Sequence, residues 1–310
     1  MEQLPENLRR SIVETLGSPV IPLFFGYTTG SELSVRYAGS GLLVEVDGES
    51  GIVTAEDVIF SENRLRNAEG LWTISRYYFI DNLADPLPDD PTHQPSATNI
   101  QTRLLDWYPP TPYRTDYEAD DAEWGPDLGF IRIPRGTNFE GNLRATRNFV
   151  SLARDPSHSV QRSLSNDYGI LAVVGAPGEW IEPARQPRPG EDSQRVTVGT
   201  LVTAQGEYST RPNGYDYIDA KAAREPGLFI PESFQGVSGG ALWLFRDFFH
   251  MSEPPQVLAR DDYVLAGIAF WENQEDRNAP FIRSHGPRSI YENFLPRVRE
   301  WLRMRTQIES

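Results

Sequence analysis

The 310-residue chain contains no cysteine. That excludes a disulfide-stapled secreted domain, a thiolate nucleophile and a cysteine-ligated zinc. Histidine is almost as scarce. His93, His158, His250 and His285 are the only four, and they lie too far apart to form a metal-ligand set by spacing. Positive charge is also short: Lys+Arg 29 against Asp+Glu 44 gives a net charge of −15. A phosphate backbone or an anionic membrane needs clustered cations, so neither nucleic acid nor membrane is an expected partner. No apolar run of about 18 residues exists to span a bilayer. The opening MEQLPENLRRSIVETLG has no secretory apolar stretch, and the expected location is cytoplasmic. There is no P-loop, no dinucleotide fingerprint and no basic amphipathic helix; no cofactor and no metal are expected.

What is present reads as a folded, turn-rich β protein. The hydrophobic share is 39%, with 25 Pro and 25 Gly, and the length fits one large all-β unit or two ordinary domains. Leu4 to Leu16 predicts a short helix, with Pro5 in its first turn and Gly17 at a left-handed C-terminal position. Short β-branched and aromatic runs then follow: Val20–Phe25, Leu33–Tyr37, Leu42–Val46, Gly51–Thr54, Leu71–Ile80, Ile100–Trp107 and Leu128–Ile133. The second half repeats the style with Gly169–Val174, Val196–Thr203, Tyr215–Ile218, Ala241–Phe245 and Tyr263–Phe270. Asp47-Gly48 reads as a hairpin turn. Two polar insertions interrupt the first half, the Pro-rich Asp81–Thr98 and the acidic Asp116–Glu123. Asp155 to Asp167 reads as a linker, and Pro296 opens a terminal helix running to Arg303. The expected organisation is an N-terminal arm at 1–19, a first β unit at 20–154, a linker at 155–167, a second β unit at 168–290 and a helix at 291–310.

One segment carries chemistry. In Glu232-Ser-Phe-Gln-Gly-Val-Ser238-Gly-Gly-Ala-Leu242, Gly236 lets the backbone turn so that the amides of Gly236 and Ser238 converge on a developing oxyanion. Gly239 and Gly240 let the chain pack tightly behind the serine. This segment resembles the nucleophile loop of the trypsin-like serine peptidases. Three more segments resemble that family in the same order: Gly39–Val44 with Gly51–Val58, Pro126–Ile133 and Leu265–Trp271. The resemblance implies two six-stranded antiparallel barrels with a cleft between them. It implies a nucleophile at Ser238, an orienting aspartate at Asp127, an oxyanion hole at Gly236 and Ser238, and a specificity pocket at Glu232, Phe270, Trp271 and Glu272.

The sequence departs from that family where it matters most. The histidine of the Thr-Ala-x-His signature is replaced by Asp57 in Thr54-Ala55-Glu56-Asp57. A carboxylate with an ordinary pKa of about 3.9 is a poor base for a serine hydroxyl. It also lacks the second nitrogen through which Asp127 would orient it. Phe270 stands where the family has a small residue, and Glu272, in place of a glycine, is positioned to close the pocket mouth. The expectation is therefore a pseudoprotease that binds or regulates a peptide or protein partner, its oligomeric state unspecified. Two alternatives stand beside it: an active serine endopeptidase using Ser238 with a histidine supplied by the His93 loop or a partner, and a scaffold binding through the acidic loops. Glu56, Asp57 and Asp127 together are also a conceivable Ca²⁺ site, against the reading of a hydrated acidic pocket.

Overall fold

The computed structural model describes residues 5–29, 32–59, 76–79, 107–108, 126–165, 169–183, 194–196, 199–203, 206–212, 214–221, 231, 233–246, 253, 255–273 and 281–309. Helix α1 (Glu6–Gly17) buries Leu8, Ile12 and Leu16, one apolar residue per turn. Gly17 is not left-handed: Ser18 follows at φ −53°, and Pro19, with no N–H, ends the ladder.

The first sheet follows, with β1 (Val20–Thr29), β2 (Glu32–Val46) and β3 (Glu49–Thr54) as a meander. Asp47 (φ 51°) and Gly48 (φ 85°) make the tight turn between β2 and β3, as their residue types predict. The two strands expected at 33–37 and 42–46 are one. The chain between them bulges at Ala38, opposite the Leu23/Phe24 register shift, and continues. After the four-residue helix α2 (Glu56–Ile59) come β4 (Arg76–Phe79), β5 (Trp107–Tyr108) and β6 (Gly129–Arg132). Helix α3 (Asn138–Thr146) leads to β7 (Val150–Ser151), which pairs parallel with β2. The sheet order is β4-β1-β2-β3-β6-β5.

The segment read as a linker holds helix α4 (Ser157–Ser165), capped by Asp155, which accepts the Ser157 N–H at 2.8 Å. The second sheet is built from β8 (Gly169–Gly175), β11 (Gly199–Thr203), β12 (Gly206–Thr210), β13 (Asp216–Lys221), β14 (Ala241–Arg246), β15 (Tyr263–Asn273) and β16 (Phe281–His285), in the order β11-β8-β14-β15-β16-β13-β12. The small ribbon of β9 (Ile181–Pro183) and β10 (Gln194–Val196) stands apart. A π-helical turn at Ser289–Phe294 runs into helix α5 (Leu295–Glu309), with Pro296 in its first turn.

The fold is thus mostly β, in two largely antiparallel seven-stranded sheets. Among the described residues neither closes into the six-stranded barrel expected from the sequence. Closure depends on strand tilt and stagger, which alternation of residue types along single strands does not report. Among the described residues, three apolar clusters form the core. One lies within each sheet, around Leu23, Leu43, Ile52 and Ile131 and around Leu171, Val173, Leu242 and Ile282. A third joins the alternate residues Leu42, Val44, Ala241 and Trp243 to α1 and α5. The period of two along β2 and β14 therefore feeds opposite faces into different clusters.

Candidate functional site

Ser238 sits in a double turn just before β14. The Val237 N–H donates to the Phe234 carbonyl at 2.9 Å, and the Gly240 N–H donates to the Val237 carbonyl at 2.7 Å. Gly236 (φ 95°) and Gly239 (φ 84°) take left-handed backbone conformations that side chains disfavour. A Cβ at Gly239 would stand 1.9 Å from the Ser40 carbonyl oxygen, and one at Gly236 2.5 Å from the Tyr37 ring.

β2 grips this loop. The Ser40 N–H donates to the Ser238 carbonyl at 2.8 Å, and Ser40 Oγ donates to the Gly236 carbonyl at 2.8 Å. Ser40 Oγ accepts the Ala176 N–H at 2.9 Å, and Thr54 Oγ1 donates to the Ser40 carbonyl at 2.6 Å. The Tyr37 hydroxyl lies between the carbonyls of Gly236 (2.6 Å) and Ala176, which share its one proton. Burial pushes the Tyr37 hydroxyl well above its usual range, so it remains a donor at any ordinary pH. Gln235 and Val237 give their carbonyls to the N–H groups of Gly178 and Gly240, both at 2.7 Å. Across planar trans peptides, the N–H groups of Gly236 and Ser238 face the other way.

Ser238 and Asp57 meet. Asp57 lies in the first turn of α2, directly after β3, and its Oδ1 accepts from Ser238 Oγ at 3.1 Å. The Phe270 carbonyl lies 3.3 Å from the same hydroxyl. A hydroxyl has one proton, and a carboxylate is the stronger acceptor. Asp127, just before β6, directs its Oδ1 to the Glu56 N–H at 3.1 Å. It thus holds the backbone next to Asp57.

The Asp127 main chain meets a histidine from far along the sequence. Its N–H donates to His285 Nε2 at 3.1 Å. His285 is buried and stacked on Phe270 with ring centroids 4.2 Å apart. Desolvation pushes its pKa down to about 3, so the imidazole is neutral. Because Nε2 accepts, the proton is on Nδ1, which has no partner among the described residues. Nothing local in the sequence points to this contact, which spans 158 residues.

Of the pocket residues, Phe270 packs against Tyr217 and His285, and Trp271 is 46% exposed beside Phe281 and the Arg283 guanidinium. Glu272 reaches the segment before Ser238, accepting from the Phe234 N–H at 2.9 Å and Ser233 Oγ at 3.2 Å. Glu232, His93, His250 and both polar insertions lie outside the described residues. His158 is exposed on α4. Among the described residues no group of three or more His, Asp or Glu is arranged to hold a metal ion. No described helix is long and apolar enough to cross a membrane.

No protein-family description matches the sequence, and no curated protein does. Similar solved structures include the protease of tobacco vein mottling virus (8% identity over 87% of this chain and 78% of that one, TM-score 0.33). Two structures of the tobacco etch virus protease are also similar. The catalytically inactive form complexed with substrate shows 11% identity over 88% and 80% of the two chains, with TM-score 0.34. The active form complexed with product shows 10% over 87% and 74%, with TM-score 0.35.

Chemically, the cluster offers a hydroxyl whose proton is directed at a carboxylate and a neutral imidazole engaged by a main-chain N–H. Neither described histidine bonds Ser238. A serine without a base of suitable strength remains protonated near neutral pH.

Proposed function

We propose that this chain is a degenerate trypsin-like protein, built on two antiparallel sheets, whose cleft binds a peptide or protein without cutting it. The observation that carries this reading is the hydrogen bond from Ser238 Oγ to Asp57 Oδ1 at 3.1 Å. The side chain beside the serine hydroxyl is a carboxylate, and an ordinary carboxylate removes a serine proton far less readily than imidazole does. Loss of a triad member costs several orders of magnitude in rate. Peptide binding is supported by β15, whose main-chain bonds to the Ser238 loop end at Ala269, which accepts the Gly239 N–H at 2.7 Å and donates to the Gly240 carbonyl at 2.8 Å, while its pairing with β16 continues to Asn273. Beyond Ala269 that strand runs alongside the Ser238 loop, where an extended peptide can add as a further strand.

Labelling by a small fluorophosphonate tests the reading. The wild type is expected to remain unlabelled, whereas Asp57→His, which puts an imidazole beside Ser238 Oγ, is expected to label slowly and to lose labelling in Asp57→His/Ser238→Ala. Robust Ser238-dependent labelling of the wild type would sink the proposal. His93→Ala would then show whether that loop supplies the base.

A further inference from the structure

We propose that Glu272 is a plug that restricts the cleft to peptide residues with the smallest side chains. The inference rests on the peptide-binding reading above. Two walls flank Ser238. One is the Phe270–Glu272 stretch of β15, and the other is the Ser233–Ser238 loop that enters β14. They are tied at two levels: the Gly239 N–H donates to the Ala269 carbonyl at 2.7 Å, and Glu272 joins the walls three residues further along. Its Oε1 takes the Phe234 N–H at 2.9 Å and its Oε2 takes Ser233 Oγ at 3.2 Å.

The far wall is itself fixed. Glu179 accepts the Ser233 N–H at 2.7 Å, Ser233 Oγ accepts the Gln235 N–H at 3.0 Å, and Phe234 is buried in the second sheet's cluster. The near wall is fixed as well, since Phe270 is stacked on the buried His285 and β15 is paired with β16 on both sides of it. A side chain entering between two such walls cannot part them easily. It must displace the carboxylate, which leaves the Phe234 N–H without its acceptor. A hydrogen or a methyl group avoids that displacement; a phenyl ring or a lysyl chain does not. Glu272 therefore sets which residue of a bound peptide lies beside Ser238, favouring glycine or alanine.

The test uses four N-acetylated aminoalkyl boronic acids, analogues of glycine, alanine, phenylalanine and lysine, each able to meet a serine hydroxyl. Binding is followed through the amide resonances of Gly236 and Ser238 in wild type, Glu272→Ala and Glu272→Gln, all checked first for a native spectrum. The wild type should take the glycine and alanine analogues about tenfold or more tightly than the other two, and Glu272→Ala should bring that ratio below about threefold. Glu272→Gln keeps an acceptor for the Phe234 N–H and should lie between, which preserves the test if the alanine variant folds poorly. The Phe234 amide should also exchange with solvent about tenfold faster in Glu272→Ala. Equal binding of all four by the wild type, an unchanged ratio in Glu272→Ala, or no binding of even the small analogues would overturn the plug. Tighter binding of the lysine analogue by wild type would overturn it too, making Glu272 a receptor for a cation. Fluorophosphonate labelling of the wild type would defeat the inert-cleft reading alone, because these ratios report binding and not turnover.

Discussion

The main-chain N–H of Asp127 donates to Nε2 of His285 at 3.1 Å, so a buried imidazole and the segment leading into β6 share one proton. Only neutral His285 can accept it. The folded pKa is about 3, against about 6.5 for an unperturbed histidine. Between those values the unfolded chain holds the extra proton, so stability from this group rises with pH up to about 6.5 and is level above. Going from pH 7.5 to pH 5.0 should therefore remove about 2 kcal/mol through His285 alone. In urea titrations the stability gap between wild type and His285→Gln should narrow by that amount on acidification. A gap that stays constant would mean that the folded imidazole titrates normally.

Gly239 and Gly48 share a left-handed backbone, with φ 84° and 85°, but differ in surroundings. A Cβ at Gly48 meets nothing within 4 Å, whereas at Gly239 it meets the Ser40 carbonyl oxygen at 1.9 Å and Thr54 Oγ1 at 2.1 Å. Gly48→Ala should cost about 1 kcal/mol, from backbone conformation alone. Gly239→Ala should cost about 3 kcal/mol, because packing strain is added. Equal costs in thermal unfolding would show that the loop yields easily.

Ser40→Ala removes the donor to the Gly236 carbonyl and the acceptor of the Ala176 N–H in one step. A buried N–H left unsatisfied costs about 1–3 kcal/mol. The expected outcome is a loss of that size together with faster amide exchange at Ala176. Unchanged exchange there would show that another acceptor takes over.

Glu140 is buried in α3 and accepts from Ser50 Oγ, from the Gly136 N–H at 2.7 Å and from Arg144 Nε at 3.2 Å. Burial by itself raises its pKa, but these donors outweigh that effect and hold it below the usual carboxylate range. For an acid depressed in this way, the stabilisation is present above the unfolded pKa and fades as pH falls through the folded one. Glu140→Gln should cost about 1–3 kcal/mol at pH 7. The cost should shrink below about pH 4, where the unfolded carboxylate takes up a proton before the folded one does. Denaturant titrations at the two pH values check both size and direction.

Local patterns made much of the fold legible. Short β-branched and aromatic runs located β1, β3, β8, β14 and β15, and Asp47-Gly48 located a hairpin. Helix α3 left a readable trace that the Gly141 in its middle obscured: Thr137 followed by Glu140, with Thr137 Oγ1 accepting the Glu140 N–H at 3.2 Å. Helix α4 was hidden by its polarity, since Val160 is its one residue fully within the core. In β2, the sequence separated Leu33–Tyr37 from Leu42–Val46; at Gly39 and Gly41 between them, Val58 and Ile52 each occupy the space of a Cβ. In the site, Ser238 and Asp57 could be paired because each lies in its own local motif. The His285 contact and the partners of Glu272 are set only when distant strands are placed together, and no local pattern encodes them.

The glycines around Ser238 have reasons to be glycine that owe nothing to hydrolysis. A methyl at Gly236 meets Tyr37, one at Gly239 meets Ser40 and Thr54, and one at Gly240 meets the Val174 carbonyl oxygen at 2.4 Å. The Gly-x-Ser-Gly-Gly spelling is therefore demanded by packing whether or not the serine reacts, and a departure from it would be felt first in folding. The spelling of that segment is thus no witness to chemistry, and the position opposite the serine, held by Asp57, is where chemistry would have to declare itself.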